Sequence, residues 1–149
     1  MSQETLLAYP DFSKDFHVYT DSSDCQLGAV IMQDDCPLAF YSRKLTSAQK
    51  CYTTGKQELL SIVETLKEFK NILLGQKLIV QTDNKNLLYQ KMSTDRIIQW
   101  RLLIKEFGPA FLHIKQRKMS LLMHYHNWMQ ISMRHYQLSL QTIVWHISF

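Results

Sequence analysis

An apolar stripe at helical spacing occupies the middle of the chain and separates two groups of strand patterns. Its members recur three or four residues apart, as they do on one face of an α-helix. They are Leu59, Ile62, Val63, Leu66, Phe69 and Leu73. We predict one helix from about Gly55 to Leu74, ended by Gly75. Because a helix of this length carries the chain across a sheet, the next strand pattern, Lys77–Asp83, is expected to lie parallel to the first strand of the domain.

Three strand patterns precede this helix. Phe16–Asp21 alternates with a period of two, as a half-buried strand does. Leu27–Gln33 and Pro37–Lys44 follow it, and the short polar turn Asp34–Cys36 separates them. We therefore predict that the domain begins with an antiparallel meander of three strands.

Three further patterns follow Asp83. Asn84–Lys91 is a candidate for a short helix, and a clearer helix, capped by Ser93 or Thr94, is predicted over Asp95–Phe107, where a Gly-Pro dipeptide ends it. Ala110–Lys115 is predicted to be a fifth strand. The order β-β-β-α-β-α-α-β predicts an α/β fold with a mixed five-stranded sheet and helices packed on it.

Length, charge and cysteine content limit the class of protein. A chain of 149 residues is predicted to form one domain around one core. Its net charge of +4 suits a polyanionic partner without identifying one. The 3 cysteines form no CxxC pair, so neither a disulfide framework nor a zinc knuckle is expected. With neither a signal-peptide pattern nor an apolar run of roughly 18 residues, we expect an intracellular protein, cytoplasmic or nuclear, without membrane contact.

Carboxylates occur at the ends of two predicted strands and near the start of the central helix. Asp21 ends the segment VYTD and Asp83 ends VQTD, so the two meet at one sheet edge if these strands are parallel neighbours. For either aspartate alone a turn cap is the favoured interpretation, but the occurrence of both shifts the balance towards a shared site. Glu58 falls at the edge of the apolar stripe, although an acid in the first turns also compensates the helix dipole. Glu64 and Glu68 point to the opposite, solvated face.

Three carboxylates at one sheet edge repel one another unless cations lie between them. Hard oxygen ligands of this kind suit Mg²⁺ or Mn²⁺. Two such ions are the arrangement that hydrolyses phosphodiesters, because one activates water and the other stabilises the leaving oxygen. Spacing alone makes this chemistry plausible and leaves the turn-cap and helix-dipole interpretations open.

Four segments of the chain resemble the ribonuclease H domain of gypsy-type LTR retrotransposon Pol polyproteins, and the resemblance extends from about residue 4 to residue 118. The segments are YPDFSKDF (9–16), YTDSSDCQLGAVIMQ (19–33), PLAFYSRKLTSAQKCYTTGKQELLSIVETLKEF (37–69) and TDNKNLLY (82–89). The resemblance implies a ribonuclease H-like fold. It also implies divalent-metal-dependent hydrolysis of the RNA strand of RNA–DNA hybrids during reverse transcription, in a polyprotein with reverse transcriptase upstream and integrase downstream.

The resemblance also assigns residues. The two motif aspartates and the helix glutamate that bind Mg²⁺ or Mn²⁺ in the family correspond to Asp21, Asp83 and Glu58. Asp24 corresponds to a second aspartate of the first motif, to which we assign a structural role. The sequence departs mildly from the family pattern, and no departure removes one of these ligands. The departures are Ser22, Cys51, Gln81 and Asn84.

Basic residues near these motifs are candidates for contacts with nucleic-acid phosphates. They are Arg43, Lys44, Arg96 and Arg101. For each of them, an ordinary exposed basic side chain is an equally good interpretation. Trp100 is predicted to lie in the core.

The tail 119–149 departs from the family pattern. The family expects a fourth carboxylate in a VADALSR-like segment, but no acidic residue follows Glu106. When the reading frame is shifted by one nucleotide, allowed codons turn residues 119–126 into Val-Val-Ala-Asp-Ala-Leu-Ser. We therefore predict a ribonuclease H-like domain over residues 1–118 and an out-of-frame tail over residues 119–149. In such a tail the pair His124 and His126 is an accident of the reading frame and not a metal site. The alternative is that the tail forms a membrane or partner helix.

Loss of the fourth carboxylate predicts impaired catalysis. The alternative to an enzyme is a noncatalytic retroelement remnant that keeps the fold and at most weak nucleic-acid binding.

Overall fold

The computed structural model describes residues 5–6, 9–84, 87 and 94–114. Most of the predicted helix Asn84–Lys91, the last residue of the predicted fifth strand and the whole tail 119–149 lie outside these residues. No helix in the described part of the chain has the length and apolar character that a bilayer crossing requires.

All five predicted strands are present in one mixed sheet. A sixth strand of two residues, which the sequence did not predict, adds to its edge. The strands are β1 (Thr5–Leu6), β2 (Phe16–Ser22), β3 (Gln26–Gln33), β4 (Cys36–Lys44), β5 (Leu78–Thr82) and β6 (Ala110–His113), in the spatial order β1-β4-β3-β2-β5-β6.

The pairing of the strands confirms the predicted topology. β2 pairs with β3 and β3 with β4 in antiparallel orientation, which is the meander. Asp34 and Asp35 connect β3 to β4 with positive φ angles of 49° and 60°, as a tight hairpin turn demands. β5 then runs parallel to β2, with Val18 opposite Val80. The central helix therefore acts as the predicted crossover.

Four helices lie in the described residues. They are α1 (Ser47–Lys50), α2 (Thr54–Glu68), α3 (Lys70–Leu73) and α4 (Asp95–Phe107). The prediction for α4 is confirmed, with Thr94 as its N-cap residue and Gly108 ending it in the left-handed region at φ 60°. α1 was not predicted, because it buries no side chain and therefore leaves no apolar stripe in the sequence.

The prediction of one continuous helix to Leu74 was wrong at its C-terminal end. α2 stops at Glu68, Phe69 leaves the helical region (φ −101°, ψ 25°), and α3 begins at Lys70. Phe69 and Leu73 are nevertheless both buried. Because the stripe records burial and not backbone dihedral angles, a broken helix and a continuous one leave the same pattern.

The main core lies between α2 and the sheet. Phe16 and Val18 of β2 face Ile62 and Leu66 of α2, and all four are fully buried. Each such side chain contributes about 1.5–3 kcal/mol on burial. Trp100 of α4 is half-buried and packs against this core, so the prediction of a core position is confirmed in part. α2 is thus fixed on the two strands that carry the candidate site.

Candidate functional site

Two aspartates meet at the carboxyl edge of the parallel pair β2 and β5. Tyr19 of β2 lies opposite Gln81 of β5. Asp21 and Asp83 each follow two residues later, so both emerge at the same level of the sheet. The structure therefore brings together the two strand-end carboxylates that the sequence singled out.

Glu58 joins this edge from the second turn of α2, where it is half-buried. One helical turn further on, the fully buried Ser61 hydroxyl lies 3.3 Å from the carbonyl oxygens of Asp21 and Gly28 and donates to them. This contact fixes α2 on β2 and β3 beside Asp21. Sequence reasoning missed Ser61, although a serine inside an apolar stripe indicates a buried hydroxyl that needs a partner.

The charge of Asp83 acts on the other two carboxylates of this edge. Burial of its carboxylate raises the pKa of Asp21, and the charge of Asp83 raises it further, whereas the Ser22 backbone N–H, 2.9 Å away, lowers it. Burial is also the main cause that raises the pKa of Glu58, and the charges of Asp83 and Asp21 add to it. Asp21 and Glu58 are therefore both harder to ionise beside the charge of Asp83, which is a repulsion that a bound cation relieves.

Asn84 is the neutral partner within this acidic group. Its side-chain Nδ2 donates to the Glu58 Oε2 at 2.5 Å and lowers the pKa of Glu58, against the effect of burial. Its backbone N–H donates to the Thr82 Oγ1 at 3.1 Å. The sequence marked Asn84 only as a departure from the family pattern, because nothing in the sequence pairs it with a helix 26 residues away.

The turn that carries Asp83 is also held from the next strand. The His113 Nε2 lies 3.1 Å from the Asp83 carbonyl oxygen, and the Ile114 N–H donates to the Thr82 carbonyl at 3.0 Å. As a donor, the His113 ring requires the tautomer with the proton on Nε2. β6 therefore fixes the backbone beside the acidic group.

The three carboxylates are chemically suited to bind a hard divalent cation, but their side chains do not converge on one point in this structure. Among the residues described, no three Asp, Glu, His or Cys side chains stand close enough to hold one ion. Carboxylate oxygens are nevertheless the ligands that Mg²⁺ and Mn²⁺ prefer. Asp21, Glu58 and Asp83 are therefore the residues that could hold such an ion once their side chains close around it.

Asp24 lies apart from this group. It is exposed in the turn between β2 and β3, where the Ser23 hydroxyl accepts from the Gln26 N–H at 3.2 Å. The structural role assigned to Asp24 stays a prediction.

Two of the four basic candidates lie next to each other in β4 and differ in their surroundings. Arg43 is mostly buried, and its guanidinium lies 3.5 Å from the Glu64 carboxylate and donates to the Gln49 Oε1 at 3.2 Å. Lys44, the last residue of β4, is exposed. Arg43 is thus engaged within the protein, whereas Lys44 faces solvent. Glu64, predicted to lie on the solvated face, is partly buried in this ion pair.

The other two basic candidates lie on α4. Arg96 is exposed and donates to the Tyr52 hydroxyl. Arg101 is exposed and, with Lys105, lines a cavity of about 330 Å³ beside Leu59 and Phe111. The two arginines therefore belong to different surfaces of α4.

A group of cations and aromatic rings lies between the start of α2 and helix α4. The Lys56 ammonium lies 4.6 Å from the centre of the Tyr52 ring, which in turn lies 6.2 Å from the centre of the Trp100 ring. Arg96 contacts the same tyrosine. The sequence did not indicate this group, because its members come from two segments, 52–56 and 96–100, that are far apart in the chain.

Comparison with known proteins extends these observations. The chain is 32% identical over 121 residues to the retrovirus-related Pol polyprotein from transposon 297 of Drosophila melanogaster, covering 79% of this chain and 11% of the polyprotein. It is 34% identical over 116 residues to that from transposon gypsy of the same organism, covering 75% of this chain and 11% of that polyprotein. The chain thus spans about a tenth of the length of the relatives it matches.

A solved structure shares the fold. The structure of the foamy viral protease-reverse transcriptase in complex with RNA/DNA hybrid superposes with a TM-score of 0.60, at 18% identity, over 71% of this chain and 16% of the viral chain. Residues 11–107 match the family model described as the RNase H-like domain found in reverse transcriptase. This match contains the acidic group with its three elements, so the chain belongs to the family of RNase H-like domains of reverse transcriptases.

Proposed function

We propose that this chain hydrolyses the RNA strand of RNA–DNA hybrids with the help of Mg²⁺ or Mn²⁺. The observation that carries the proposal is the convergence of Asp21, Glu58 and Asp83 at the carboxyl edge of the parallel pair β2 and β5. Membership of the reverse-transcriptase RNase H-like family supports a nuclease role for this edge. Beyond family membership, we propose the identity of the metal, its three ligands and the substrate.

Asp21, Glu58 and Asp83 would hold the ions. When bound, divalent ions supply an activated water and stabilise the charge that develops on the leaving oxygen. The protein contributes position: the Ser61 hydroxyl keeps the Glu58 helix against the Asp21 strand, and β6 fixes the Asp83 turn. Such fixed placement supplies much of the rate enhancement in phosphodiester cleavage, because the reacting groups need not be ordered during the reaction.

Substrate binding would rest on cations at the end of β4 and at the starts of α2 and α4. The exposed Lys44 and Arg96, together with the partly exposed Lys56 beside Tyr52, provide positive charge for phosphates. Arg101 is a further candidate. The foamy viral protease-reverse transcriptase, which shares this fold, was solved with an RNA/DNA hybrid, and this supports the same substrate class here. The choice of the RNA strand requires recognition of the 2′-hydroxyl group.

The natural context would be a retrotransposon polyprotein, with reverse transcriptase before this domain and integrase after it. The Pol polyproteins that this chain resembles support such a context, because the chain matches only about a tenth of the length of each. In this arrangement the domain would remove the RNA template from the newly made DNA.

A reduced activity follows from the frameshift hypothesis. The sequence contains no acidic residue after Glu106, so residues 119–149 cannot supply a fourth carboxylate. This observation favours the second candidate function, a noncatalytic remnant with weak binding of nucleic acid. Reading the coding DNA tests the frame directly: the hypothesis requires a Leu122 codon that ends in G, and any other ending overturns it.

A cleavage assay separates enzyme from remnant. The full chain, an Asp21→Asn variant and a chain whose residues after 118 follow the alternative frame are compared on a hybrid with labelled RNA, with Mg²⁺ or Mn²⁺ present. Asp35→Asn is the matched control, because it removes an exposed carboxylate from the turn between β3 and β4, where asparagine tolerates the positive φ of 60°. We expect weak cleavage by the native chain, more by the restored chain, none by Asp21→Asn, and no effect of Asp35→Asn.

The outcomes of this assay are distinct. Activity of Asp21→Asn equal to that of the native chain would refute the proposed site. Equal activity of native and restored chains would refute the predicted impairment. Full inactivity of the native chain beside an active restored chain would establish the remnant.

A further inference from the structure

A side-chain amide joins the two elements that carry two of the proposed ligands. Asn84 follows Asp83 directly, and its Nδ2 donates to the Glu58 Oε2 across 26 positions of sequence. We propose that Asn84 is a positioning residue for the metal centre, which holds one oxygen of Glu58 and leaves the other for the cation. This inference rests on the proposed metal-dependent function and deepens it.

Asn84 is itself placed by the hydrogen-bonded end of β5. Its backbone N–H donates to the Thr82 Oγ1 at 3.1 Å, and Thr82 is a buried residue of β5. The carbonyl of Thr82 accepts from the Ile114 N–H at 3.0 Å. The amide therefore projects from the end of an ordered strand, as a group that orients a metal ligand must.

A turn cap does not explain this side chain. The bond to Thr82 within the turn uses the backbone N–H of Asn84, whereas the bond to Glu58 uses its side-chain Nδ2. The carboxamide thus links the segment that follows β5 to α2, the two parts of the chain that carry Asp83 and Glu58.

The chemistry of an amide suits this position. The charges of Asp83 and Asp21 act on Glu58, so a neutral donor orients the carboxylate without adding a fourth negative charge. A lysine at the same place would supply its own cation and compete with the metal. The amide satisfies one oxygen of the carboxylate and keeps its negative charge for the ion.

Mn²⁺ binding to the full chain, measured by titration calorimetry without substrate, tests the proposal. We expect Asn84→Ala to weaken Mn²⁺ binding about tenfold, the lower end of the effect of removing a ligand's hydrogen-bond partner. Asn84→Ser, whose hydroxyl is too short to span the same distance, should do the same. Asn71→Ala is the matched control, because it removes an exposed amide from α3 and should leave the affinity unchanged. Circular dichroism verifies the fold of each variant.

A second measurement separates a positioning role from a structural one. If Asn84 orients a ligand, excess Mn²⁺ should restore hybrid cleavage by Asn84→Ala, whereas it should not restore cleavage by Asp21→Asn. An Mn²⁺ affinity of folded Asn84→Ala within twofold of the native chain would overturn the inference alone. Absence of Mn²⁺ binding by the native chain would overturn the proposed metal function and the inference together.

Discussion

Replacement of Arg43 by alanine tests whether a basic side chain near the site serves the fold or the substrate. Arg43 and Lys44 are neighbours in β4, and the sequence made both of them candidates for phosphate contact. The structure engages Arg43 with Glu64 and Gln49, whereas Lys44 is exposed. We therefore expect Arg43→Ala to lower stability, and Lys44→Ala to weaken hybrid binding.

The expected cost follows from the geometry of the ion pair. The Arg43 Nη2 and Glu64 Oε2 lie 3.5 Å apart, with side-chain exposures of 25% and 26%. Exposed ion pairs contribute about 0.2–1 kcal/mol. Partial burial and the lost packing of the arginine stem raise the expected decrease in unfolding free energy to about 1–2 kcal/mol. Lys44→Ala should stay within about 0.5 kcal/mol, as is usual for surface substitutions.

Two measurements on the same pair of variants distinguish the roles. Urea unfolding followed by circular dichroism gives the unfolding free energy. Fluorescence anisotropy of a labelled hybrid over a salt series gives the number of phosphate contacts, and Lys44→Ala should lower the salt slope by about 1. The reasoning is refuted if Arg43→Ala keeps native stability and lowers the salt slope, because Arg43 would then bind phosphate and not Glu64.

Three further predictions concern the acidic edge. Because the folded-state pKa of Asp21 lies above its ordinary value of 3.8, its ionised form destabilises the metal-free fold, so the contribution of Asp21 to stability should rise as pH falls through the folded pKa towards 3.8. Asp21→Asn should therefore stabilise the metal-free chain at neutral pH in urea unfolding, with a difference that vanishes near pH 3; a destabilised variant would contradict this. Ser61→Ala should lower the unfolding free energy by about 0.5–1 kcal/mol, after allowance for the higher helix propensity of alanine. Thr65→Val should lower it less, because the Thr65 hydroxyl bonds only within its own helix. Equal decreases for the two variants in urea unfolding would argue against an anchoring role of Ser61. Mn²⁺ at about 100 times its Kd should stabilise the native chain by about 2.7 kcal/mol in thermal unfolding, and Asp21→Asn should lose this gain.

The sequence predicted those parts of the fold whose formation leaves a periodic pattern. The meander, the parallel strand after the crossover and helix α4 each bury one face, so their residues alternate or repeat in step with their geometry. The two-residue strand β1 and the four-residue helix α1 are too short to show a period. The break at Phe69 left the burial pattern intact and was therefore hidden.

The candidate site was predictable to the extent that it depends on strand ends. Asp21 and Asp83 could be paired because parallel strands bring their carboxyl ends to one edge. The partners that orient the site could not be predicted, since Asn84 and Ser61 act on residues 26 and 40 positions away. Such contacts depend on the position and orientation in which a helix packs on a sheet, and no short-range sequence pattern specifies these. The internal partners of Arg43 were hidden for the same reason.

The core and the chemistry of the site are coupled through one register. Phe16 and Val18 lie opposite Leu78 and Val80, and all four side chains are at most 1% exposed. Because side chains alternate between the faces of a sheet, a slip of β5 by one residue would expose this apolar row and turn Asp83 to the other face. The burial that stabilises the fold therefore also specifies which carboxylates can meet, and a family that keeps this core can keep the acidic edge while its connecting segments change.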